Sequence, residues 1–239
     1  MRRIIRAEMI KLRSLPAVTY TMLGTVAVGA IMSVAFTALA RENSTPASVA
    51  TLATQVTPYA QAGAILLGIL SVSHEYAGRQ IATTLAAAPR RALLIVAKTA
   101  ATAVALSVTA IGTMTVAWSA VALASGGSDA VAPTEWLDLV RLLGAAAYLL
   151  LIGLLAHATA LAVRNLIPAL TVMLVLVFIL PPMLSVLGDH VRWLPDRAGA
   201  QLYAPSDASL TAATGALVVI GWITTVGIAG GARFIRSDA

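Results

Sequence analysis

The residue types that could do chemistry crowd into one stretch, Ser71 to Lys98, SVSHEYAGRQIATTLAAAPRRALLIVAK, in a chain that is otherwise strongly apolar. Its first residues, Ser71, Ser73, His74 and Glu75, hold a hydroxyl, an imidazole and a carboxylate, the parts of a hydrolytic relay. Neighbouring residues splay around a helix axis, however. No G-x-S-x-G elbow, H-E-x-x-H pair or second carboxylate accompanies them, so His74 and Glu75 read as the end of a helix and the chain reads as a non-enzyme. The rest has a fixed shape. Glu75 is followed by Gly78 and Arg79, a short segment with Thr84 and with Ile81 and Leu85 one helical turn apart, then Pro89, Arg90, Arg91 and finally Lys98. Gly78 supplies backbone freedom; Pro89 disfavours helical geometry at Ala88 and suits the first turn of a new helix. The spacing predicts a helix, a bend, a short interfacial helix over residues 79–88 and then that new helix. A compact helix presented between two membrane spans is something a soluble motor could grip; the plainer reading of the same charges is that they set topology.

Other chemistries are missing. The only lysines are Lys11 and Lys98, and neither has the Gly-rich lead-in of a phosphate loop, so ATP cannot be bound by that motif. Proton- and sodium-coupled carriers place Asp, Glu, Lys or Arg at membrane depth, and no apolar run carries one centrally. His157 is the one titratable group well inside a run, and it reads as an interhelical hydrogen-bonding residue. There is no cysteine, which excludes disulfides and thiolate metal sites.

These residues must be positioned by membrane helices. Of 239 residues 59% are hydrophobic and 11% charged, where a globular domain has about 25% charged. The net charge of +6 lies beside apolar spans and not on a domain face, so it points to topology and anionic lipid and not to nucleic acid. Six stretches free of Asp, Glu, Lys and Arg, 14–40, 43–74, 99–128, 142–163, 165–188 and 208–232, each exceed the roughly 20 residues needed to span the hydrocarbon. The first is too long for a signal peptide's apolar core. The expectation is an all-α integral membrane protein, one transmembrane domain over 1–239, with spans near 17–40, 59–75, 99–124, 139–163, 166–187 and 210–232. Pro46 and Pro58 leave an external loop near 41–58. With the N-terminus inside, twelve of sixteen basic residues face the cytosol, which places both termini there; the membrane expected is the plasma membrane.

Finer signals flank the spans. Residues 1–16 carry Arg2, Arg3, Arg6, Lys11 and Arg13 beside Ile5, Met9 and Leu12, an amphipathic helix suited to lipid headgroups. Thr134, Glu135, Trp136 and Asp138 introduce the fourth span as a capped helix start at an interface. Spans four and five join through a short turn at Arg164, Asn165 and Pro168 and form an antiparallel hairpin. Span five ends at Leu180, Pro181 and Pro182, after which an apolar but broken segment predicts short, partly buried helices at the outer face. Gly227 and Gly231 form a G-x-x-x-G pair, which is either a helix-packing face or only the small-residue content common in membrane helices.

The wording of the polar stretch resembles the cytoplasmic loop of ABC-2 type permeases, the membrane subunits of one class of ATP-binding cassette transporter. Glu75, Gly78, Thr84, Leu85, Pro89, Arg90, Arg91 and Lys98 match that pattern, and Glu8, Lys11 and Leu12 reproduce the E-x-x-K-L motif of its N-terminal helix. The resemblance implies an ATPase-coupling interface at Glu75, Gly78, Arg79, Thr84, Leu85, Pro89, Arg90 and Arg91, and an interfacial helix with Glu8, Lys11, Leu12 and Arg13. It also implies a second permease, the same or a related chain, and two copies of a cytosolic ATPase that carries the ATP and magnesium. A re-entrant segment between spans five and six and substrate efflux belong to the same expectation. The leading alternative is a membrane anchor or regulatory subunit that transports nothing.

Overall fold

The structure, a computed structural model, describes residues 2–43, 47–77, 91–126, 131–132, 136–184, 186, 189–205 and 210–236. Helix α1 (Arg2–Ser14) meets α2 (Pro16–Glu42) at an elbow that the sequence dictates. Leu15 is extended, φ −88° and ψ 110°, as the residue before a proline must tend to be, and Pro16 starts the new helix where its missing N–H costs nothing. Ser14 Oγ turns back to donate to the Lys11 carbonyl at 2.8 Å. Then come β1 (Ala47–Ser48), α3 (Val49–Thr54), α4 (Thr57–Ala77), α5 (Arg91–Ser125), β2 (Val131–Ala132), α6 (Trp136–Val163), α7 (Leu166–Leu184), a 3-10 turn at Asp189–Trp193, α8 (Pro195–Ala200) and α9 (Ala212–Arg236).

Five of these helices are long and apolar enough to cross a membrane: α2, α5 from Ala92, α6, α7 and α9 as far as Arg233. The protein is a multi-pass, all-α membrane protein by that measure. The apolar runs predict six spans, and the one that falls short is α4. Its 21 residues suffice in length, but Gln61, Ser71, Ser73, His74 and Glu75 lower its apolarity. Position explains the tolerance. Ile65, Leu67, Ile69 and Val72 of α4 are almost fully buried, with α2, α5, α6 and α7 packed around the helix, so Gln61, Ser71 and Ser73 meet protein. Its tightest approach to α6 is at Gly68, where an added Cβ would collide with the Gly153 carbonyl oxygen. Only glycine lets the two backbones touch there.

Both termini of the described chain lie at one end of the bundle, with α1 against the start of α5 and the last turns of α6 and α9 side by side. The α6–α7 turn at this end places Arg164 at φ 61°, a left-handed conformation that an arginine adopts at some cost. Arg164 Nη2 donates to the Arg233 carbonyl at 2.6 Å, and Arg233 Nη1 donates to the Ala162 carbonyl at 3.0 Å. Asn165 Oδ1 accepts from the Ile167 N–H and caps α7.

At the opposite end the expected external loop at 41–58 proves to be folded. Continuing to Glu42, α2 is followed by β1, which pairs in parallel with β2 (Ala47 opposite Val131), and Ser48 Oγ caps α3 by accepting from the Thr51 N–H at 3.1 Å. Val49, Ala50, Leu52 and Ala53 are buried against α5 and α6. Pro58, one of the two residues that suggest a loop, stands in the first turn of α4.

Three further features concern the spans. The new helix expected after Pro89 is α5, which begins at Arg91 and so takes in Lys98 two turns from its start. Span five, expected over 166–187, runs as helix through Pro181 and Pro182 to Leu184; over Val175–Ile179 it widens to i→i+5 hydrogen bonding, with the Leu180 N–H reaching the Val175 carbonyl. A widened turn just before two residues that cannot donate absorbs the broken ladder. In α9 the tight contacts belong to Gly215, against the Ala198 carbonyl, and to Gly230, whose added Cβ would lie 2.9 Å from the Ala162 nitrogen, while Gly231 opens onto space and Gly227 makes only ordinary contact with Ala158. The short helices foreseen after span five are present: Pro195, Ala198 and Gly199 are buried against α6 and α9.

Candidate functional site

Two polar clusters are buried between the helices, one at each end, and both hang on the pair α4 and α6. At the terminal end Lys98 Nζ of α5 lies 2.8 Å from Glu8 Oε2 of α1, with side chains 7% and 8% exposed. Leu12, one turn after Glu8, is buried beside it. The stripe expected to lie in the headgroups is therefore turned partly into the bundle, and the glutamate of the E-x-x-K-L motif holds the lysine of span three. Lys11 is half-buried and Arg13 exposed.

One residue after Lys98, Thr99 Oγ1 contacts His157 Nε2 at 3.2 Å, and on the other edge of the ring Nδ1 lies 2.8 Å from Ser71 Oγ. Ser71 Oγ also donates to the Gly68 carbonyl at 2.7 Å. His157 thus reaches from α6 to both α4 and α5, as its reading as an interhelical residue requires. A buried imidazole needs a partner at each ring nitrogen, and here hydroxyls supply both. Of the hydroxyl and imidazole groups next to Glu75, Ser73 Oγ donates to the Ile69 carbonyl and His74 Nδ1 lies against the Leu70 carbonyl.

Of the expected coupling interface, Glu75 stands in the last turn of α4 and Arg91 opens α5. Gly78, Arg79, Thr84, Leu85, Pro89 and Arg90 lie outside the described residues, as does the short helix expected at 79–88. What the structure adds is the bracing on either side of that segment. Its incoming helix is tied at Ser71 and its outgoing helix at Lys98 and Thr99.

The cluster at the opposite end has no counterpart among the sequence expectations. Tyr148, fully buried on α6, places its hydroxyl against Gln61 Oε1 of α4 and 2.7 Å from Asp196 Oδ1 of α8. A phenol has one proton to give. It can donate to Gln61 Oε1 or to Asp196 Oδ1, one at a time, so the two acceptors share it. The Tyr203 ring packs on Tyr148 with centroids 5.4 Å apart. Burial holds the Asp196 carboxyl above the usual carboxylate range, against the Tyr148 hydrogen bond and the Arg197 guanidinium, which both pull it down. Burial, and after it the Asp196 charge, pushes the Tyr203 hydroxyl well up. The signal in the sequence was two polar residues, Gln61 and Tyr148, within stretches read only for apolarity.

A cavity of about 650 Å³ opens beside this cluster, walled by Phe36, Tyr59 and Tyr203 with Arg141 and Thr54 among its polar groups. Asp138, in the first turn of α6 as expected, is buried 3.5 Å from Arg141. Among the described residues no three His, Asp or Glu side chains gather as metal ligands would. Compared with known proteins, the chain matches no protein-family model and no curated protein.

Proposed function

We propose that the chain is the membrane subunit of an ATP-driven exporter of the ABC-2 type, with six crossings, both termini in the cytosol, and α4 as the central crossing. The reading starts from the resemblance of Glu75 to Lys98 and of Glu8 to Leu12. One observation favours it: the two matched segments, far apart in the chain, meet in the buried pair of Glu8 and Lys98. A separate pair of ATPase subunits would supply ATP and magnesium and grip the segment between α4 and α5 at Arg79, Thr84, Leu85, Arg90 and Arg91.

The bracing gives this grip a mechanical meaning. A push on the segment is delivered to α4 and α5, and through Ser71, Thr99 and His157 to α6, and through Lys98 and Glu8 to α1. Four helices then shift as one body. Work is done only if the closed ATPase pair binds the two membrane states with different free energies.

The test is biochemical. Purified alone, the chain should show no ATP hydrolysis; co-expressed with the soluble ATPases of its own genome, it should co-purify with one of them. Glu75→Ala and the double change Arg90→Ala, Arg91→Ala should lower that co-purification roughly ten-fold, the loss of about 1 to 3 kcal/mol of charge-assisted contact, with the protein still inserted. ATP turnover by the isolated chain, or unchanged capture of the ATPase by both variants, would overturn the proposal.

A further inference from the structure

The elbow between α1 and α2 leaves a cleft that none of the preceding chemistry uses. Its floor is α5, at Ala101, Val104, Ala105 and Val108; its walls are Met9 and Leu12 of α1 and Val18 and Met22 of α2; Arg13 stands at its mouth. The floor runs about 10 Å along the helix axis at 1.5 Å per residue, and leads on along α5, where Val104, Val108 and Ile111 are exposed at i, i+4 and i+7. Apolar walls parallel to a membrane helix with a cation at the interfacial end match the two parts of a phospholipid. We infer that this crook is a binding site for one anionic phospholipid of the leaflet at the terminal end, its headgroup on Arg13 and one acyl chain along α5.

Three observations choose this occupant. Arg13 and Arg6 are both exposed and seven residues apart, so they share one face of α1 and offer positive charge to an anionic headgroup. The cleft measures about 140 Å³, which admits the upper part of one acyl chain but not a helix some 10 Å across. Its apolar side is continuous with residues exposed on the flank of a membrane-crossing helix, so a lipid reaches it sideways from the bilayer. The site also has a structural consequence. The chain would lie against Leu12, one turn from Glu8, and so would brace the same angle between α1 and α5 that the Glu8–Lys98 pair fixes. The inference rests on the membrane character of the fold and stands apart from the exporter proposal.

Native mass spectrometry of the purified full-length protein tests it, with phosphatidylglycerol or phosphatidylcholine added in equal amounts. The wild type should retain one phosphatidylglycerol per chain in preference to phosphatidylcholine. Arg13→Gln should cut phosphatidylglycerol retention about five-fold, the effect of one basic residue near an anionic headgroup, and leave phosphatidylcholine as it was. Val104→Trp, at an exposed position, should fill the floor and remove both; Thr19→Trp narrows the cleft from α2 and serves if the first variant fails to fold. Arg41→Gln, at the opposite end of α2, should change nothing. Equal retention of the two lipids by the wild type, or full retention of phosphatidylglycerol in the Arg13 and tryptophan variants, would overturn the site. So would ready disulfide dimerisation of Thr19→Cys in the bilayer, which would assign the cleft to a second copy.

Discussion

The two ends of the α4–α6 pair solve the same problem, burying polar groups between membrane helices, with different chemistry. At the terminal end an ion pair and a doubly bonded imidazole join helix to helix. At the opposite end a phenol joins the bundle to a short helix, through an amide and a carboxyl whose proton affinity is raised. His157 and Tyr148 are nine residues apart on α6, about 14 Å along its axis, with the Gly68–Gly153 contact between them. The contrast separates joints built to persist from joints that can respond. A buried charge pair loses heavily if either member goes, whereas a protonatable latch on a short surface helix changes with its surroundings.

The largest effect is expected at Lys98. Lys98→Met leaves Glu8 buried without its partner and should destabilise the protein by about 3 to 5 kcal/mol, while Glu8→Leu with Lys98→Met should recover most of the loss. Thermal unfolding in detergent would measure both. An additive double variant would mean that the two charges do not act as a pair, and the terminal end would lose its claim to be the rigid one.

Between the clusters, Gly68→Leu must push α4 away from α6, because even a Cβ cannot fit against the Gly153 carbonyl. A loss of about 1 to 3 kcal/mol is expected, together with weakening of both clusters at once. Unchanged thermal stability in this variant would show that the two helices are free to separate and that the ends are not linked through this crossing.

The smallest effect concerns Asp196, where the two ends should differ most clearly in their response to pH. Its folded-state proton affinity is raised, so its contribution to stability is fully present below the ordinary carboxylate range and is lost as pH rises through the raised value. Proteolysis near residues 195–205 should therefore increase from mildly acidic to neutral pH, and Asp196→Asn should flatten the profile. A wild-type profile that stays flat would place the pH response elsewhere.

How much of this was legible depends on the range of the forces involved. Runs free of charge predict six crossings, and five of the helices have the apolarity that lipid contact demands; α4, expected at 59–75, is shielded by its neighbours and its apolarity is correspondingly lower. The expected hairpin at Arg164 and the short helices after Pro182 followed from local chain geometry. Lys98 was visible as a charge near a span; its partner, Glu8, is 90 residues away, and only the packing of α1 on α5 brings them together. Helix α3 escaped notice since six uncharged residues between prolines carry no period long enough to read. Tyr148 and Gln61 were hidden in the same way, as single polar residues whose meaning depends on what faces them.

The crossed bonds of Arg164 and Arg233 bear on what holds this corner together. Each guanidinium rests on a backbone carbonyl near a helix end, where the peptide dipoles leave partial negative charge. A carbonyl oxygen offers its lone pairs whatever the pH, so these two contacts, which tie α9 to the α6–α7 turn, do not wait on the ionisation of an acidic partner.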